Sequence, residues 1–305
     1  MTLALLFPGQ GSQVVGMGRA LAAEFSPAAE TLAEADDVLG FALSRLMAEG
    51  PEAELTATRN AQPALLTHSV AVHRVIAKEL GPVAFAAGHS LGEFSAHVAA
   101  GTLSFRDALG AVWTRGRLMY ESGLERPGAM AAVLGLGDSV VEEVCDGVQT
   151  GICVPANFNS PGQVVVSGDV AGVEEGMARA RDAGAKRTVP LKVSGAFHSP
   201  LMEPAAHGLR EKLDALPFGN PSFPVVANVN ASPVASGEEA RRMLVEQLTS
   251  PVRWSSCIAT MIDAGVDRFV ELGPGSVLCG LNKRNARGLP CVALGEPQQL
   301  EAFLT

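Results

Sequence analysis

The chain has 305 residues, 47% of them hydrophobic and 18% charged, with 33 glycines and a formal net charge of −9. It is long enough to bury a large core and too apolar for a disordered chain. The acidic balance argues against nucleic acid or an anionic membrane as the main partner, since both need a basic footprint.

Strand-like apolar runs alternate with helix-like segments. LALLF (3–7) reads as a buried strand, and PGQGSQ after it as a glycine-rich loop at the strand's carboxyl end. This opening lacks the basic leader and the length of a signal sequence, and no later segment reaches membrane-spanning length, so a cytoplasmic protein is expected. Helical spacing follows at 17–25, 28–39 and 61–80, the last stopped by Gly81-Pro82. VAFAA (83–87) is a second short buried strand, LGEFSAHVAAG a helix closed by Gly101, and 105–122 another helix.

After ERPGAM (125–130) the pattern becomes strand, helix, hairpin, helix, strand, the order of a split βαβ, ferredoxin-like unit. The expectation is an α/β fold: a hydrolase-like large domain with a parallel sheet and a nucleophile elbow, formed by 1–126 and 196–305, with a small ferredoxin-like subdomain inserted at 127–195. The returning chain predicts a helix to about 215, a strand at 224–229, helices from 238 and 251, and a strand at 268–272 before GPGSVL. The five cysteines (145, 153, 257, 279, 291) are scattered and lack C-x-x-C spacing. They predict small core residues rather than a disulfide framework or a metal site.

The stretch AAGHSLGEFSAH (86–97) carries the chemistry. Gly88 and Gly92 flank Ser90 in G-x-S-x-G between a predicted strand and a predicted helix. That is the arrangement of a nucleophile elbow, which exposes the hydroxyl where helix amides begin. The plainer alternative is that Ser90 caps the helix; the strand before it and the helix after it favour the nucleophile. Six histidines are available as its base. His89 adjoins the serine, where neighbouring side chains diverge; His97 lies about two turns down the helix; His68 and His73 fall in helical stretches. His198 sits in the loop GAFHSPLM, downstream of the serine as in elbow-type hydrolases, and is favoured.

FPGQGSQ, GHSLGEFSA, WTRGRLM, NFNSPGQVVVSG, SGAFHSPLM, QLTSPVRW and ELGPGSVLCGLNKR, in this order over nearly the whole chain, resemble the malonyl-CoA:acyl carrier protein transacylases. The resemblance implies Ser90 as the acylated nucleophile, His198 as its base, and the backbone carbonyl of Gln247 in place of a triad carboxylate. It implies an oxyanion hole from the amides of Gln10 and Leu91, and Arg115 as the grip on the malonyl carboxylate. Malonyl-CoA and an acyl carrier protein are the implied partners, in fatty acid or polyketide biosynthesis, with no cofactor and no metal. Phe94 stands where tyrosine is frequent in such sequences, and Tyr120 where glutamine is frequent.

The chemistry of Arg115 can also be argued directly. A carboxylate carried into a closed pocket needs a fixed positive partner, and a guanidinium binds it through two parallel hydrogen bonds. That feature separates a transacylase from a serine esterase or thioesterase, which would pass the acyl group to water. Asn157, in NFNSPGQ, is placed at the cleft between the domains, although hairpin packing alone would explain that stretch. GPGSVL reads as a tight turn packed before a helix, because Walker lysine spacing is missing. Two basic stretches, Lys186, Arg187 and Lys192, and Lys283, Arg284 and Arg287, are candidates for docking an acidic carrier.

Overall fold

The computed structural model describes residues 2–193 and 195–304; Met1, Thr305 and Ser194 of the SGAFHSPLM block lie outside the described residues. In chain order the first elements are β1 (Leu3–Phe7), α1 (Arg19–Glu24), α2 (Ser26–Leu39), α3 (Leu43–Glu49), α4 (Glu52–Thr56), α5 (Thr58–Ile76), β2 (Val83–Gly88), α6 (Gly92–Ala99) and α7 (Phe105–Glu125). Next come β3 (Gly128–Leu134), α8 (Asp138–Asp146), β4 (Cys153–Ser160), β5 (Gln163–Asp169), α9 (Val170–Asp182) and β6 (Arg187–Pro190). After a 3₁₀ turn (Pro200–Met202) follow α10 (Glu203–Asp214), β7 (Val225–Val226), β8 (Pro233–Val234), α11 (Gly237–Glu246) and α12 (Trp254–Asp263). The last are β9 (Arg268–Leu272), α13 (Val277–Asn285), β10 (Cys291–Leu294) and α14 (Pro297–Leu304).

These elements build two sheets. The larger has the order β10-β9-β1-β2-β7-β8, parallel as far as β7, with β8 antiparallel at the edge. β1 shows why LALLF has no polar alternation. Leu3, Leu5 and Phe7 face one layer, which includes Val72 and Ile76 of α5, while Ala4 and Leu6 face Ile258 and Met261 of α12. A strand covered on both sides is apolar at every position. The smaller sheet, β4-β5-β3-β6, is antiparallel, with Val141 and Val144 of α8 and Val173 and Ala180 of α9 in its core. The α/β class, the parallel sheet and the ferredoxin-like insertion agree with the sequence. Among the described residues no helix is long and apolar enough to cross a membrane.

Two expectations are corrected. The strand expected at 224–229 pairs only at Val225–Val226, because Asn228 turns its polar groups toward the start of α6 instead: its N–H donates to Glu93 Oε2 and its Nδ2 to Gly88 O. Cys279 and Cys291 are not isolated core residues but form a disulfide, their Cα atoms 5.4 Å apart where α13 packs beside β10. That separation is within disulfide reach, and the sequence spacing did not reveal the approach. Cys145, Cys153 and Cys257 are buried and free.

The sheet places the loops that matter. β1 and β2 run side by side and end together, Phe7 opposite Gly88, and the His89 N–H donates to Phe7 O at 2.9 Å. The loops that follow therefore leave adjacent carboxyl ends, where open α/β sheets bind ligands. The helix after β2 starts so close to β1 that a Cβ on Gly92 would run into the Phe7 carbonyl, and one on Gly88 into the Gly92 backbone. Gly92→Ala is expected to lower stability by about 3 kcal/mol through overpacking. Gly110→Ala in α7, where a Cβ meets only the Lys212 side chain at 3.8 Å, is expected to gain about 0.5–1 kcal/mol. Urea unfolding midpoints measure both.

Candidate active site

Ser90 occupies the turn between β2 and α6 with φ at +52°. The left-handed region costs a residue with a side chain on the order of 1–3 kcal/mol and persists only where surrounding bonds enforce it. Here the Ser90 N–H donates to Asn228 Oδ1 at 2.8 Å, and the Ser90 carbonyl accepts from Gln247 Nε2 at 3.0 Å. Asn228 is itself anchored by its Nδ2 donating to Gly88 O at 2.8 Å. The hydroxyl then emerges at the top of the turn, 2.8 Å from His198 Nε2.

His198 follows β6 in an irregular loop and also has a positive φ, +57°. Its Nδ1 lies 2.9 Å from the Gln247 carbonyl oxygen and 3.2 Å from that of Ser250. Carbonyls only accept, so Nδ1 carries the hydrogen and Nε2 presents a lone pair to Ser90 Oγ. The carbonyl-bearing segment is fixed by the small sheet: Val252 N–H donates to Ala156 O at 2.8 Å, and Phe158 N–H to Val252 O at 2.9 Å. Burial, with the Arg115 charge adding to it, pushes the His198 pKa down to about 3, so the imidazole is neutral at physiological pH. His89 is engaged elsewhere, its Nε2 2.8 Å from Asn159 Oδ1. His97 is buried beside Thr102, with its pKa pushed down by burial to about 3.

Arg115 comes from α7 and is 1% exposed. Its Nη1 donates to Gln62 Oε1 at 2.6 Å, and its Nη2 to Gln247 Oε1 at 3.0 Å and to Ser90 Oγ at 3.2 Å. Burial lowers its pKa to about 10 against the opposing effect of Glu93, which leaves it charged at neutral pH. Phe94 packs under the guanidinium, its ring centre 5.9 Å from Cζ. Tyr120 stacks with Arg59, so the unusual residue there makes its contact away from Arg115. Arg117 is on the exposed face of α7, paired with Glu121 at 2.9 Å.

Gln10, Ser90, Leu91, Arg115, Asn157 and His198 line one cavity of about 320 Å³. Leu91 is the N-cap residue of α6, and Asn157 lies on β4, so the small sheet supplies part of the wall. Gln247 sits behind this surface, joining Ser90, His198 and Arg115. A larger open groove of about 740 Å³ between α10 and α11 contains none of these residues. Sequence reasoning missed Gln62, Glu93 and Asn228. Glu93 left one signal, a carboxylate at the start of a short helix that has no other acidic residue; Gln62 and Asn228 left none.

A cavity holding a hydroxyl, a neutral imidazole and a buried cation is equipped for acyl transfer to and from an anionic acyl group. The family described as acyl transferase domain matches residues 4–298. A malonyl CoA-acyl carrier protein transacylase of Bacillus subtilis (strain 168) is 47% identical over 302 residues, 98% of this chain and 95% of that protein. The crystal structure of an acyl carrier protein S-malonyltransferase from Vibrio cholerae superposes with a TM-score of 0.95 at 43% identity, covering 99% of each chain. A malonyl-transacylase solved in complex with a holo type II PKS acyl-carrier protein gives a TM-score of 0.95 at 44% identity, covering 100% of this chain and 99% of that one. The chain belongs to the malonyl-CoA:acyl carrier protein transacylase family.

Proposed function

We infer that this protein transfers the malonyl group of malonyl-CoA to the phosphopantetheine thiol of an acyl carrier protein, in fatty acid or polyketide synthesis, through a malonyl ester of Ser90. The observation that carries the reading is a buried guanidinium 3.2 Å from a hydroxyl that is itself 2.8 Å from a neutral imidazole nitrogen. Ser90 Oγ attacks the thioester carbonyl and His198 Nε2 takes its proton. The tetrahedral oxyanion is met by the amides of Gln10 and Leu91, donors whose individual loss typically costs ~2.7–4 kcal/mol in such sites. The C–S bond breaks, and the CoA thiolate leaves with the proton held by His198. The carrier thiol then gives its proton to His198 and attacks the ester, and the departing Ser90 oxygen takes that proton back from His198 Nε2. One thioester replaces another, so the exchange calls for no energy source or redox partner. The Gln247 carbonyl keeps Nδ1 protonated throughout, and the unit at 127–195 supplies Asn157 to the cleft wall.

Intact-protein mass measurement tests the covalent step. Ser90→Ala is expected to abolish the malonyl adduct, and an adduct that persists overturns the assignment. His198 is expected to contribute no limb near the ordinary histidine value of 6.5 to the acylation rate, because it is already neutral above about 3; the profile is measured in Glu93→Gln, so that the buried carboxylate raised to about 7 does not titrate in the same range. Release of malonate to water at the rate of transfer to thiol would indicate a hydrolase instead.

Arg115→Ala is expected to cut malonyl transfer by about 10–100-fold, the loss of a hydrogen bond to a charged group, while acetyl transfer changes little. Equal losses for the two acyl groups, read in parallel assays, would make Arg115 structural.

An acidic carrier approaching an acidic enzyme needs local basic ground. Lys283, Arg284 and Arg287 are exposed on and just beyond α13, and Arg284 also bonds Gln163 of the small sheet at 3.0 Å. Reversing all three to glutamate is expected to slow transfer to the carrier at low salt, with self-acylation from malonyl-CoA much less affected. The difference is expected to shrink as salt rises. Normal carrier charging at low salt would move the docking surface to the Lys186–Lys192 stretch, of which Lys192 lines the cavity.

A further inference from the structure

Glu93 lies in the first turn of α6 with no surface exposed. Its Oε2 accepts from Asn228 N–H at 2.9 Å and from Gln247 Nε2 at 2.7 Å, while Oε1 has no hydrogen-bond partner among the described residues. A buried carboxylate is costly, and a well-packed apolar side chain commonly serves stability as well or better. Its presence is accounted for by what it fixes. The Gln247 amide stands between two unlike surroundings. On one side are only acceptors: Glu93 Oε2, the Ser90 carbonyl at 3.0 Å and Asn228 Oδ1 at 3.3 Å. On the other is a pure donor, Arg115 Nη2, at 3.0 Å from Gln247 Oε1. Reversing the amide would set its oxygen against three oxygens and its NH₂ against a guanidinium. Of the three acceptors Glu93 is the nearest and the only carboxylate, and hydrogen bonds to charged groups are roughly twice as strong as neutral ones.

We propose that Glu93 is a positioning residue for malonyl selectivity: its acceptor-only carboxylate sets the Gln247 amide so that the amide oxygen holds Arg115 beside Ser90. The same Oε2 anchors Asn228, whose side chain holds the Ser90 N–H. One carboxylate oxygen thus ties the elbow to the guanidinium across α6, α7 and the end of α11. Burial raises the Glu93 pKa to about 7, opposed by the hydrogen bonds from Asn228 and Gln247 and by the Arg115 charge. Burial outweighs those contacts, so the carboxylate is ionised above about pH 7 and is lost as pH falls below it. The inference rests on the roles given above to Ser90, His198 and Arg115.

The test compares single-turnover malonylation and acetylation, read by intact mass, in Glu93→Ala, Glu93→Met and Glu93→Gln. Thermal melting corrects each rate for the folded fraction. Glu93→Ala is expected to lose about 10–100-fold in malonylation, the scale of one charge-assisted bond, and less in acetylation, so the malonyl-to-acetyl ratio falls about tenfold. Glu93→Gln keeps an oxygen for the same two N–H donors and is expected to recover most of that ratio. A role confined to packing predicts otherwise: both acyl groups fall in step in Glu93→Ala, and Glu93→Met, which fills the site without an acceptor for the same two donors, keeps the wild-type ratio. Either of these overturns the inference. If Glu93→Ala does not fold, Glu93→Met decides alone: a malonyl-to-acetyl ratio about tenfold below wild type is expected, and an unchanged ratio overturns the inference. A Ser90→Ala control that still took up malonate would instead break the underlying site assignment.

Discussion

A guanidinium with 1% of its surface exposed constrains everything around it. Taking a cation out of water carries an effective penalty of several kcal/mol, which only well-placed polar partners offset. Arg115 finds them on different elements: Gln62 on α5, Gln247 just past α11, and Ser90 ahead of α6. Those helices must therefore meet at one point, and the cavity lies there. The side chain is not saturated, since its Nε has no partner among the described residues. A charged group held in place with donor capacity to spare suits an anionic acyl group better than a neutral one.

The second constraint is steric. The elbow requires β2, the turn and α6 to pass so close to β1 that two glycines are needed, and between them Ser90 takes a left-handed backbone. His198 opposite is left-handed as well. Such conformations persist where the surroundings over-determine them. Here the surroundings are specific: Asn228 and Gln247 hold both peptide groups of Ser90, and two carbonyls hold the His198 ring. Ser90 Oγ and His198 Nε2 are thus held in place by the protein alone, the kind of preorganisation from which acyl-transfer sites gain much of their advantage.

Neither sheet makes this site alone. The parallel sheet delivers the elbow and the Gln10 loop from adjacent strand ends. The antiparallel sheet contributes Asn157 and, through the pairing of β4 with Val252, steadies the carbonyls behind His198. It is tied down on a further side, where Asn285 Nδ2 donates to Asn159 O at 2.8 Å and Asn159 in turn meets His89. The cleft wall on the small-sheet side is thereby fastened to the large sheet at more than one point. In the transfer proposed above, the carrier's thiol would reach Ser90 past that wall.

Much of this was legible in the residues themselves. LALLF is apolar at every position because both faces of β1 are covered, and the strand–helix–hairpin–helix–strand order between 128 and 190 announced the second sheet. The glycines around Ser90 marked the elbow through local sterics, and His198 stood out by its loop position. These are short-range features, readable wherever periodicity or a tight turn restricts the choice of residue. What the tertiary structure alone decided is the polar network beneath them. Gln247 meets Glu93 across 154 residues, Ser90 meets Asn228 across 138, and Arg115 meets Gln62 across 53. The Cys279–Cys291 pairing and the early end of β7 belong with these. None has a sequence period, because a hydrogen bond between distant segments depends on where the fold brings two side chains, and the chain encodes that only through the packing of everything between them.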